Sequence, residues 1–149
     1  MIQFQDFFRE KFEFDLHANL RWCDLLSAHE DTLPTYVIKS MSHIINVHHI
    51  WNCRLMQQPA ESSDWDLLPF AYWPHLLRDN FRKTTDYLDH QSAFEKINYH
   101  DSEGVPMEKE AMDILYHVLN HSNYHRAQIA KCCKDANLPV ANTNFIVFK

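Results

Sequence analysis

Apolar residues recur every three or four positions from the start of the chain: Phe4, Phe8, Phe12, Leu16, Leu20, Cys23 and Leu26. That period predicts one amphipathic helix over about Phe4–Ser27. The segment HEDTLPT breaks it, with Asp31 or Thr32 placed to cap a second helix and Pro34 suited to its first turn. The second helix is expected to run to about Gln58, where Pro59 stops it. Both helices have roughly 24 residues and hence a length of about 36 Å. Two long helices of equal length with a short link predict an antiparallel pair.

Residues 58–73 carry two prolines, Pro59 and Pro69, and no sustained helical period. Such a segment spans up to about 53 Å. It can therefore cross a whole helix and set helices two and three parallel. A third helix is expected after Pro74, with Leu77, Phe81, Thr84 and Leu88 along one side. Residues 93–108 contain the only glycine and a short alternating pattern, which fits a loop or a small hairpin. A fourth helix is expected from near Glu108 to about Asn137, ahead of Pro139, and the apolar tail NTNFIVFK is expected to pack. The pattern predicts an all-α fold, four long helices in a bundle, with residues 1–149 forming one domain.

Composition sharpens this picture. One glycine in 149 residues argues against hairpin-rich sheet architectures. Twenty acidic against fourteen basic residues give a net charge of −6, and no Lys/Arg cluster exceeds a pair, so nucleic acid is not an expected partner. No apolar run is long enough to span a membrane, and MIQFQDFFREKFEFD lacks an apolar signal core. A cytoplasmic location is the expectation. Cys23, Cys53, Cys132 and Cys133 match no CxxC spacing, and the adjacent pair is poorly placed for a disulfide. All four are expected as reduced thiols on helices.

The chemistry is carried by histidine. There are eleven His in the chain, so a single HxxxH is unremarkable. HVLNHSNYHRAQIA, however, sets His117, His121 and His125 one helical turn apart in succession. Imidazoles at i and i+4 have Cβ atoms about 5–6 Å apart and can meet one metal at about 2.0–2.1 Å from each nitrogen. His121 and His125 align with Ile114, Val118 and Ile129, the apolar stripe of helix four, and so point inward. A second cluster, SHIINVHHIWNCRL on helix two, offers His43, beside Val47, Ile50 and Trp51, or His48, on the side of Ile44, Ile45 and Leu55. Spacing leaves that choice open. Gln128, seven residues after His121, shares the ligand face and can hydrogen-bond a ligand.

These two stretches resemble the DinB/YfiT-like helical-bundle family over essentially the whole chain. SHIINVHHIWNCRL is similar to its helix-two pattern of a His, apolar residues, an aromatic and a basic residue. HVLNHSNYHRAQIAKCCKDANLP is similar to its helix-four pattern of His-Val-x-Asn-His, three residues, His-Arg-Gly-Gln-Ile. The resemblance implies an up-down-down-up four-helix bundle with a long crossover between helices two and three, commonly a homodimer. It implies one divalent transition metal per chain, zinc or nickel foremost, held by His43, His121 and His125. His117 is then a neighbour of the site rather than a fourth ligand, and His48 the alternative to His43. Ala127 and Asn137 stand where the family usually has glycine. Alanine suits a helix, and Asn tolerates the left-handed conformation that ends one.

Three neutral imidazoles leave a divalent ion an open position, as in catalytic rather than structural sites. The expected function is a metal-dependent enzyme, a low-molecular-weight-thiol S-transferase ahead of a hydrolase, acting on a small thiol or another small molecule. The alternative is a non-catalytic dimeric metal-binding or stress-response protein. No general base stands out: Asp113 lies partly off the His121 face, and Asp15 or Asp24 depends on packing. A pocket sealed by Phe and Leu would favour the non-catalytic reading, and an open polar one the enzyme. A di-iron carboxylate site needs Glu-x-x-His pairs, and the sequence has none.

Overall fold

The computed structural model describes residues 3–149. Helices α1 (Phe4–Ser27), α2 (Thr35–Leu55), α3 (Trp73–His90) and α4 (Ala111–Asp135) carry the architecture, followed by the single-turn α5 (Phe145–Phe148). Helix makes up 67 % of the described residues, so the all-α expectation holds broadly. The departure is an antiparallel hairpin of β1 (Lys96–His100) and β2 (Pro106–Glu110), which pairs Lys96 with Glu110 and His100 with Pro106. Its turn explains the solitary glycine. Gly104 has φ +79°, and one Asp101 carboxylate oxygen accepts the N–H groups of Glu103 and Val105, both at 2.9 Å. A side chain that mimics backbone in this way is a turn device.

Element boundaries follow local chemistry. α1 has the expected bounds. Glu30–Thr32 form a single 3-10 turn, and Pro34, rather than Asp31 or Thr32, precedes the first residue of α2, with no side-chain cap. α2 stops at Leu55 rather than Gln58, because Gln57 turns left-handed (φ 54°) and the Gln58 N–H closes on the Cys53 carbonyl at 2.8 Å. α3 starts at Trp73, ahead of Pro74 rather than after it, with Pro74 in its first turn. α4 starts at Ala111 rather than Glu108, because 108–110 pair in β2. Its end is as expected: Asn137 is left-handed (φ 57°), and the Leu138 N–H bonds the Cys133 carbonyl at 2.8 Å, the closure that satisfies the last carbonyls of a helix. The tail packs, with Phe145 edge-on to Phe14 at 5.1 Å between centroids.

α1 packs on α3 and α4, and α2 on α3 and α4. The apolar interior divides into two halves. One joins Trp22, Leu26, Met41, Ile44, Trp73, Leu77 and Ile129; the other joins Phe8, Phe12, Leu55, Leu88, Ile114 and Leu115. Burying one such side chain contributes about 1.5–3 kcal/mol. Between the halves runs a belt of buried polar groups. The expected stripe of α1 accordingly shifts: Leu16 and Leu20 are only half-buried, while Asp15 and Asn19 are buried. Arg126 of α4 is the reason. Its Nη1 donates to Asp15 at 2.6 Å, Asn19 at 2.9 Å and Ser122 at 2.7 Å. A second network joins α2 to α3: Thr84 Oγ1 donates to Asn52 Oδ1 at 2.9 Å, Asn52 Nδ2 to the Asn80 backbone carbonyl at 3.0 Å, and Asn80 Nδ2 to the Ile45 backbone carbonyl at 3.0 Å.

The four cysteines are unbridged. Burial pushes the Cys23 thiol up to about 12, which makes it a packing residue rather than a nucleophile.

Asp15→Ala leaves the Arg126 guanidinium buried without its counter-charge. The expected loss is about 3–5 kcal/mol, read as a lower urea midpoint at unchanged m-value. A loss below about 1 kcal/mol would show that the pair behaves like a surface ion pair.

Candidate metal centre

α2 and α4 bring His43 against His121 and His125. His121 and His125 sit one turn apart on α4, with ring centroids 4.5 Å from each other. His43 lies 4.8 Å from His121 and 4.6 Å from His125. One nitrogen from each ring falls within 4.8 Å of the others, and among the described residues no other group of three His, Cys, Asp or Glu converges in this way. The Nε2 atoms of His43 and His121 are 3.0 Å apart. Two nitrogens on one tetrahedral ion, each at about 2.0–2.1 Å, are separated by roughly 3.3 Å. His43 and His125 are buried and His121 half-buried.

The rings are oriented by their surroundings. His43 Nδ1–H donates to the Asp64 carbonyl at 2.8 Å, which turns Nε2, with its lone pair, towards His121. Trp65 stacks on the same ring at 3.7 Å and 11°. Both partners come from the aperiodic segment 58–73, which lies over α2 and is pinned there. Ser42 Oγ accepts the Leu68 N–H at 3.1 Å, Asn46 Nδ2 donates to the Asp66 carbonyl at 2.8 Å, and His49 Nε2 accepts the Glu61 N–H at 3.1 Å.

Electrostatics keeps the three rings neutral. Burial, reinforced by His125 and His43, pushes His121 down to about 3. Burial likewise lowers His43, against the Asp64 carbonyl that raises it. It lowers His125 too, helped by His43 and opposed by nearby Gln128. Neutral imidazole is the form that binds a metal. His125 Nδ1 is buried with no hydrogen-bond partner. An orphaned nitrogen of this kind is uncommon in an interior. The donor set and its spacing fit one divalent transition ion.

The remaining candidates separate cleanly. His48 turns away from the triad, towards α3: its Nε2 lies 2.8 Å from Thr84 Oγ1, and its ring lies 5.4 Å from that of Phe12. His117 is exposed and edge-on to Trp51 at 5.3 Å, with its centroid 6.0 Å from that of His121. Gln128 Oε1 accepts the Tyr36 hydroxyl at 2.9 Å. Of the acids, Asp15 is paired with Arg126, Asp24 is exposed, and Asp113 lines an apolar groove with Phe4 and Tyr116 instead.

Beside His43 and His121 opens a cleft of about 470 Å³, walled by these two and by Val47, Trp51, Arg54, Ser63, Asp64, Tyr99, Asp101 and His117 among others. Sequence reading missed Asp64, Trp65, Tyr99 and Asp101 because the first two stand on an aperiodic segment and the others in or just after a short strand. One signal was present. Ser42, Asn46 and His49 repeat at i, i+4 and i+7 along α2, as receptors for a covering segment would.

His48 supplies a pH test. Burial pushes it from the ordinary 6.5 down to about 4, so both folded and unfolded chains hold it neutral above 6.5. As pH falls from 6.5 to about 4, only the unfolded chain takes up this proton, and the folded state loses stability, by roughly 3 kcal/mol in total. His48→Gln, which keeps a donor for Thr84, is expected to flatten the fall in metal-free urea midpoint between pH 7 and pH 4.5. Parallel curves for the two proteins would contradict a buried neutral His48.

The model for the DinB family matches residues 21–149. No curated protein matches the chain. The matched region covers α2, α3, α4 and the last two turns of α1 together with all three converging histidines, and the chain belongs to the DinB family.

Proposed function

We propose that this protein is a metal-dependent enzyme whose ion, zinc or nickel foremost, is held by His43, His121 and His125, with low-molecular-weight-thiol S-transfer ahead of hydrolysis as its reaction. The observation that carries this is a triad of neutral imidazoles joined, among the described residues, by no fourth converging His, Cys, Asp or Glu, with His43 and His121 on the wall of an open cleft that carries polar groups. A structural ion is closed by four protein ligands, a catalytic one keeps a place for water or substrate. When bound, a divalent ion there supplies charge that favours the deprotonated form of a water or thiol. The chain's own groups do the rest. The Asp64 carbonyl fixes the tautomer of His43, and Trp65 covers its ring. His117 and Asp64, on the cleft wall, are the groups placed to take a proton. Trp51 and Val47 supply the apolar wall against which a small substrate lies.

The same reading takes residues 1–149 as one domain in an up-down-down-up bundle. Supporting it, Ile45 and Asn52 of α2 meet Asn80 and Thr84 of α3 in rising order. Across α2 and α4 the order is reversed, His43 meeting His125 and Trp51 meeting His117. No helix among the described residues is long and apolar enough to cross a membrane, and four unbridged cysteines suit a reducing, cytoplasmic setting. Self-association is proposed through the α1/α4 face, where Phe4, Phe7 and Tyr116 stand 46 %, 45 % and 65 % exposed. That face is also what favours the second reading, a non-catalytic dimeric metal-binding protein.

Elemental analysis of untagged protein is expected to find about one divalent ion per chain. His43→Ala, His121→Ala and His125→Ala should each lose it with helical circular dichroism intact, whereas His48→Gln should retain it. No ion in the wild type after reconstitution would overturn the three-histidine site. Full loading in His43→Ala would overturn the assignment of its third ligand.

A further inference from the structure

The cleft has a second end. Arg54 follows His43 on α2 by eleven residues, three helical turns, which places it on the same face about 16 Å along the axis. Val47, Ile50 and Trp51 line the wall between them. The Arg54 guanidinium lies 4.4 Å from the Trp51 ring and 4.7 Å from that of Tyr99, so two aromatic faces hold it. Its one protein hydrogen bond runs from Nη2 to the His100 carbonyl at 3.2 Å. Among the described residues no carboxylate lies within ion-pair distance of it, unlike Arg9, Arg82 and Arg126, which each have one. The nearby Asp101 has one carboxylate oxygen committed to the hairpin turn. A guanidinium offers five N–H donors in a planar fork that matches a carboxylate or phosphate, and most of these donors are unused.

We infer that Arg54 anchors the anionic end of an elongated substrate, a carboxylate or a phosphate, whose reacting group lies at the histidine triad about three helical turns away. The inference rests on the proposed metal site and names the substrate class for it: a molecule with a reactive group at one end, an apolar stretch along Val47, Ile50 and Trp51, and an anion at the other. Tyr99 brings the β-hairpin into this role, since it completes the aromatic clamp that holds the guanidinium in place.

The test uses cobalt-loaded protein, in which a bound thiolate gives a near-ultraviolet charge-transfer band, so affinity is read without turnover. The probes are mercaptoundecanoate, mercaptoundecanol, a mercaptoundecyl phosphate, and the short pair mercaptopropionate and mercaptopropanol. The long acid or the long phosphate is expected to bind about 10- to 100-fold more tightly than the long alcohol, the scale of a charge-assisted hydrogen-bond pair. Which of the two gains more identifies the anion. The short acid, unable to reach Arg54, is expected to show no such advantage over its alcohol. Arg54→Met, which keeps an unbranched side chain between Trp51 and Tyr99, should erase the advantage while leaving alcohol affinity within about twofold. Arg54→Gln, which retains a donor for the His100 carbonyl, is the companion variant if Met loosens the hairpin, and the same erasure is expected. Equal binding of long acid, phosphate and alcohol in the wild type, or an advantage that survives both variants, overturns the anchor while leaving the metal site standing. An equal advantage for the short acid overturns the elongated geometry. No band with any thiol overturns the open metal site, and the anchor with it.

Discussion

A buried polar group must find a partner, and the interior of this protein is organised by that requirement. The two apolar halves of the core meet at a belt in which Arg126, Asp15, Asn19 and Ser122 tie α4 to α1, while His48, Thr84, Asn52 and Asn80 tie α2 to α3. Apolar packing alone tolerates sliding of one helix past another. A guanidinium whose one nitrogen meets three different side chains does not, because a shift of one turn would strand a charge in the interior. The belt therefore sets the axial register of the helices. Since Arg126 follows His125 directly in sequence, the register of α4 that brings Arg126 against Asp15 also sets the height at which His125 and His121 face α2.

The same requirement explains the covering segment. A stretch without helix or strand from 56 to 69 carries peptide groups that need partners. Side chains of α2 provide several of them, at Ser42, His43, Asn46 and His49. With the core on one side of α2 and the segment on the other, every residue from Ser40 to His48 is buried. It also couples the connection to the chemistry, because one of those residues, His43, is in the triad. The bond that holds the segment down is the bond that orients the ring.

Neutral histidines beside one another are costly to protonate and inexpensive to bring to a cation. Their lowered basicity has a plain cause in burial and mutual repulsion, and it leaves lone pairs directed at a common region open to a polar cleft. Two features of that cleft bear on specificity. Its floor is a helix face that alternates apolar and aromatic residues, and its far wall is a hairpin docked to α2 through the Asn98 and His100 carbonyls, which accept from Gln57 at 3.0 Å and Arg54 at 3.2 Å. The hairpin is thus a wall of the site, while Ile97 of β1 anchors it in the core half of Phe8, Phe12 and Leu88.

By itself the sequence determined the helices and most of their ends, because a 3.6-residue period, prolines at breaks and an Asn able to turn left-handed are local properties of the chain. It also determined the pair His121 and His125, since i and i+4 on one helix are neighbours in any fold that keeps the helix. The resemblance on residues 42–55 and 117–139 brought His43 into the set, and the family match bears out the resemblance itself. What only the tertiary structure decided were the relations between elements. His43 and His48 differ in sequence by little more than a turn, and only packing shows one facing α4 and the other bonded to Thr84 of α3. Asp64 and Trp65 stand on a segment without a period, where no local rule says which peptide carbonyl will reach a ring 21 residues away. Asp15 and Asn19 sit where the α1 stripe would place solvent-facing edges, and their burial follows from Arg126, more than 100 residues distant in sequence. Periodicity is written in neighbours along the chain, whereas a hydrogen bond between distant residues exists only once the helices have docked.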